Sequence, residues 1–172
     1  MASKKSQIFV FDLILSIVII VVSVILVFSF FTTTIDNVDI YEYNYEILTG
    51  ITQTKINSLN DDQIRDFFIE NKIKNIENTV AQQISDFYYL GQNDDAENLT
   101  RIFIKDYALS SVNINITLNN GTEEYELYSK KAKSEVSFED STIASVTKRN
   151  IFGFLNTSDY YGPYELKIKL WI

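Results

Sequence analysis

The sequence has no cysteine and no histidine, a single proline and only five glycines. Without cysteine there is no disulfide, no thiolate metal site and no thiol nucleophile. Without histidine the commonest general base and the commonest transition-metal ligand are also missing. Most hydrolytic constellations are therefore excluded. Basic residues are outnumbered 15 to 23 by acidic ones, for a net charge of -8. No basic stripe interrupts that balance, so nucleic acid is not an expected partner. A Gly-rich phosphate loop and a nucleophile elbow are both absent from the sequence. No cofactor, no resident metal and no enzymatic activity are expected.

What is present is a long apolar run, Ile8 to Phe31, in which Asp12 is the one ionisable residue. As a helix it would span about 36 Å, enough for ~30 Å of hydrocarbon. The run predicts a transmembrane helix over residues 8–31, preceded by a basic leader over residues 1–7. It is longer than a secretory signal core, and no small-x-small cleavage site follows it. Lys4 and Lys5 precede the run, while Asp36 and Asp39 follow it. The positive-inside rule then predicts a cell-membrane location, with the N-terminus cytoplasmic and the C-terminal domain extracellular. Membrane lipid is the corresponding partner. Four sequons at Asn98, Asn115, Asn120 and Asn156 are candidate glycosylation sites on that exported side.

Asp12 sits close to the start of the run. It either snorkels to the interface or serves as a buried partner for a cation on a neighbouring subunit. The segment Lys4-Lys5-Ser6-Gln7-Ile8-Phe9-Val10-Phe11-Asp12-Leu13 resembles the start of archaeal type IV pilin-like precursors, which carry a class III signal peptide. The resemblance covers about the first thirty residues and, weakly, the closing segment Gly162 to Trp171. It implies cleavage between Ser6 and Gln7, although the family usually has Gly or Ala where Ser6 stands. It implies that Asp12 is the assembly carboxylate, one position later than usual. Like or related pilin subunits, meeting through the N-terminal helix, would be partners. The implied function is a minor pilin-like structural subunit of a surface filament. The alternative is an uncleaved single-pass surface module for binding or adhesion.

Beyond the run, Ile35, Val38, Tyr41, Tyr45, Leu48, Thr52, Ile56 and Leu59 recur at helical spacing and predict one long helix to about Leu59. Tyr41 to Tyr45 alternates and also reads as a short strand. A second helix is expected around Ile64, Phe67 and Phe68, capped by Ser58 or Asn60. A third holds Ile73, Ile76, Val80, Ile84, Phe87, Tyr88 and Leu90 and stops at Gly91. Gln92 to Glu97 reads as a polar loop, and Leu99 to Leu109 as a short helix. From Val112 the period becomes two, with a turn at Asn119-Asn120-Gly121 and a return strand over Tyr125 to Tyr128. Thr142 to Phe154 is a third strand, residues 156–163 a loop, and Tyr164 to Ile172 the last strand. The fold class is α+β: a long N-terminal transmembrane helix, an extracytoplasmic helical region over residues 32–109, and a small antiparallel β-sheet head over residues 110–172.

Three groups are candidate sites. Asp94, Asp95 and Glu97 supply oxygen donors for Ca²⁺, but match no EF-hand spacing and read more simply as solvated. Glu139 and Asp140 form an acid/base pair only within a cleft. Tyr160, Tyr161 and Tyr164 form either a contact surface or the packed end of the sheet.

Overall fold

The period-two segments become a four-stranded antiparallel sheet, and the helical segments lie on one of its faces. The computed structural model describes residues 15–26, 39–132, 136–154 and 160–172. They fall into two units, 1–39 and 40–172.

In the first unit, residues 15–26 form helix α1. The described residues of α1 cover about 18 Å by helical rise, against the ~30 Å of a hydrocarbon core. Among the described residues no helix is long and apolar enough to cross a membrane. The expected transmembrane helix over 8–31 is corrected accordingly: the described apolar helix, residues 15–26, is shorter than the span such a crossing needs, and residues 8–14 and 27–31 lie outside the described residues. The cell-membrane location, with its cytoplasmic N-terminus and extracellular C-terminal domain, rested on that span and falls with it.

In the second unit, α2 (Ile40–Gln53), α3 (Asp62–Ile69), α4 (Val80–Tyr89) and α5 (Asn93–Ile104) precede β1 (Asn113–Asn119), β2 (Glu124–Lys130), β3 (Ala144–Phe154) and β4 (Tyr160–Trp171). The sheet order is β2-β1-β4-β3. Ile114, Ile116 and Leu118 of β1 stand opposite Leu170, Ile168 and Leu166 of β4, and all six are fully buried. Against them pack α2 and α4, which cover β3 and β4, and α5, which lies against β2. Phe67 of α3 reaches Phe87 of α4 at 5.4 Å between ring centres.

The long helix ends at Gln53, short of Leu59, and its buried stripe is Ile40, Asn44, Ile47, Leu48 and Ile51. Tyr41 and Tyr45 instead face outward. Asn44 is completely buried. Its amide donates to Ser145 Oγ at 3.1 Å and to the Ile168 carbonyl at 3.3 Å, and it accepts from Thr147 Oγ1 at 2.7 Å. One side chain thus ties α2 to both β3 and β4. The cap of α3 is Asp61, whose carboxylate accepts from Gln63 N, rather than Ser58 or Asn60. The stretch around Ile73 and Ile76 is not helical; α4 starts only at Val80. Gly91 does follow α4, at φ +72°, with its N–H on the Tyr88 carbonyl, as a left-handed C-terminal residue requires.

The opposite sheet face is polar. Lys167 pairs with Glu124 at 2.8 Å, and Thr117 Oγ1 donates to the same carboxylate at 2.6 Å. The Lys167 bond, seconded by Thr117, holds Glu124 below the usual carboxylate range. Asn115 donates to Glu126 at 2.7 Å, and Lys148 pairs with Glu165 at 3.0 Å.

Candidate functional site

Helix α4 opens with a capping box. Thr79 Oγ1 accepts from Gln82 N, and the Gln82 side chain accepts from Thr79 N. That fixes the register in which Asp86, one turn further on, points inward beside Phe87. Asp86 is only 8% exposed. Asn78 Nδ2 donates to its Oδ2 at 2.7 Å, and the Tyr161 hydroxyl donates to its Oδ1. Neither partner is a cation. Burial therefore pushes this carboxyl up to about 7, with the Asn78 bond opposing.

Tyr161 reaches Asp86 by crossing over Gly153, its partner across the β3–β4 pair. A Cβ on Gly153 would lie 1.8 Å from the Tyr161 ring and hydroxyl. Only glycine leaves room for this approach. A cavity of about 270 Å³, lined by Asn75, Glu77, Asn78, Gln82, Asp86 and Gly153, opens beside the carboxyl. Chemically the arrangement is a proton-sharing group between an amide and a phenol. It ties the residues before α4, the helix itself and the start of β4 together, and it places no nucleophile against a base. Glu77, the other carboxylate of the cavity, is exposed and paired with Lys55.

Tyr161 also begins a run of rings. It stacks on Tyr89 at 4.8 Å and touches Tyr164 at 5.6 Å. Tyr164 meets Tyr88 edge-on at 5.5 Å, and Tyr88 meets Tyr125 at 5.6 Å. Tyr125 donates to Glu97 at 2.5 Å, and that bond raises its phenol to about 12. Of the three candidate contact tyrosines, Tyr161 and Tyr164 pack inside this run, while Tyr160 is 72% exposed.

The acidic groups do not converge. Asp94 and Asp95 lie in the first turn of α5, which replaces the expected polar loop. Asp95 takes Lys72 at 3.0 Å, and Glu97 is held by Tyr125. Among the described residues no group of three or more metal-binding side chains is assembled. Glu139 and Asp140 are exposed, and Asp140 accepts from Ser137.

Of the candidate glycosylation sites, Asn98 is exposed on α5. Asn115 is half-buried on β1 and engaged with Glu126. Asn120 lies in the exposed β1–β2 turn, where its Oδ1 accepts from Thr122 N, Thr122 Oγ1 and Glu123 N. Ser6, Gln7, Asp12 and Asn156 lie outside the described residues. The residues sequence reasoning missed are Asn44, Asp86 and Gly153. The capping signature Thr79-x-x-Gln82 was readable and would have set the register of α4, but no sequence signal marks Asp86 as buried.

Comparison with protein-family models, with curated proteins and with solved structures finds no match to this chain.

Proposed function

We propose that this chain is a structural subunit of a filament, pilin-like in character, whose apolar helix is buried among the equivalent helices of other copies. One observation carries the reading. Apart from Ser16 and Ser23, every residue of 15–26 is apolar, and Leu15, Ile17, Val18, Ile19, Ile20, Val21, Val22, Val24, Ile25 and Leu26 are each between 48% and 62% exposed. These positions run around the whole circumference, where an amphipathic helix would leave one polar side. A helix that is apolar all round calls for neighbours on every side. Several identical helices provide that cover, whereas one partner groove covers a single stripe. The resemblance of Lys4 to Leu13 to archaeal pilin-like precursors supports the same reading. Under it, cleavage between Ser6 and Gln7 frees an α-amine, and Asp12 of a neighbour neutralises it.

The test is electron microscopy of the full chain from its native source, with mass spectrometry of its N-terminus. The expected result is filaments whose subunits lack Lys4 and Lys5. A chain that stays single, or that retains those lysines, overturns the proposal. Asp12→Asn keeps the shape and removes the charge. Leaving a buried ion unpaired costs ~3–5 kcal/mol, so processing should continue while filaments are lost. Unchanged filament yield would remove Asp12 from the assembly role.

A further inference from the structure

The sheet of the second unit is open at both ends. Its edges are β2 on one side and β3 on the other. Among the described residues neither strand makes a backbone hydrogen bond to anything outside the sheet. Unpaired edges of this kind are templates for pairing with another chain. The edge strands here are 7 and 11 residues long.

Direction comes first. β1 is antiparallel to both β2 and β4, and β4 is antiparallel to β3. β3 therefore runs opposite to β2. Two copies standing side by side in the same orientation bring β3 of one to β2 of the next as an antiparallel pair, so the alternation continues across the boundary.

Charge comes second. One row across the polar face reads Glu126, Thr117, Lys167, Lys148. It starts with an acid at the β2 edge and ends with a base at the β3 edge. The adjacent row on the helix-covered face reads Tyr125, Leu118, Leu166, Arg149, and the next on the polar face reads Glu124, Asn119, Glu165, Asn150. A single antiparallel register sets Lys148 beside the neighbour's Glu126, Arg149 beside its Tyr125 and Asn150 beside its Glu124. That gives an ion pair, a cation over an aromatic ring, and an amide on a carboxylate. A lysine on an edge strand ordinarily keeps other strands away. Here the matching acids stand at the opposite edge of the same sheet. Glu126 has one oxygen on Asn115, and the Lys148 ammonium leans on Glu165; each keeps bonding capacity for a second partner. A chain of net charge -8 repels its own copies at long range, so a basic edge facing an acidic one fixes where they meet.

We infer that the sheet continues from copy to copy, β3 of one chain pairing with β2 of the next, in a head-to-tail contact that does not close on itself. Such a heterologous contact propagates into an open array. The inference rests on the assembly proposed above and adds its second contact.

The chain has no cysteine, so introduced thiols report without background. In the full-length double variant Lys148→Cys, Glu126→Cys, mild oxidation of the assembled protein should give a ladder of disulfide-linked multimers on a non-reducing gel. Each single variant should remain a single chain there. Filaments without a ladder, or equal cross-linking by the single variants, overturn the strand pairing and leave the helix-driven assembly standing. A wild-type chain that never assembles overturns both. Charge exchange supplies an independent measure. Lys148→Glu should weaken assembly roughly tenfold through like-charge apposition, and adding Glu126→Lys should restore it. Failure of the restoration, in variants with unchanged circular dichroism, overturns the register.

Discussion

Asp86 is the residue at which fold and solution conditions meet. Its ordinary value is 3.8 and its folded value about 7, so the folded state favours the protonated carboxyl. An acid raised by folding adds no cost below about pH 4. The cost grows as pH climbs toward 7, because the unfolded chain releases the proton more readily. Unfolding free energy should therefore fall across that interval, by roughly 4 kcal/mol at ~1.4 kcal/mol per pH unit, and level off above it. Asp86→Asn keeps an acceptor for Asn78 and has no proton to lose. In urea titrations at pH 5 and pH 8 the variant should lose this dependence and be the more stable protein at pH 8. An identical slope in both would place the titrating group elsewhere. Gly153→Ala tests the same junction from the other strand. The added methyl occupies the position of the Tyr161 ring, so Tyr161 must leave Asp86. The expected cost is about 2–4 kcal/mol, read as a lower denaturation midpoint. Neither residue was legible in the sequence. A carboxylate in a helix looks solvated until its neighbours are known, and a glycine in a strand does not say which ring crosses it.

At the scale of elements, α4 depends on its capping box. Thr79→Ala should destabilise the chain by about 1 kcal/mol, seen as a lowered melting temperature, and Thr79→Ser should recover most of it. The backbone bonds of Val80 N to the Thr54 carbonyl and Ile56 N to the Asn78 carbonyl survive both changes, so a much larger loss would mean that the cap organises more than α4. The strands were readable because Ile114, Ile116, Leu118 and Leu166, Ile168, Leu170 alternate with polar residues on a half-covered sheet. The helix limits were not. Asn93, Asp94 and Asp95 look like a loop yet suit a first helical turn, where carboxylates meet the positive end of the peptide dipoles. In α2 a pattern search puts Tyr41 and Tyr45 inside and Asn44 outside. The structure does the reverse, because Asn44 finds three partners in β3 and β4. The apolar run over 8–31 predicted a membrane span, and among the described residues no helix is long and apolar enough for one.

At the scale of the whole molecule, residues 40–172 own a continuous core running from Ile40 to Leu170. A fragment of residues 39–172 should fold without α1 and show mixed α and β circular dichroism with a cooperative thermal transition. A featureless spectrum would mean that the core needs neighbours to form. The core has one further consequence, for synthesis. β4 comes after every other described element, yet it lies between β1 and β3 and bonds to both. Until it leaves the ribosome, the β1–β2 hairpin and β3 have no common partner, and Ile114, Ile116 and Leu118 wait beside an unfilled slot. The helices emerge first, and the sheet is complete only once β4 has followed β3 out. Between the emergence of β1 and that of β4, the inner edge of β1 is open to pairing with a wrong strand.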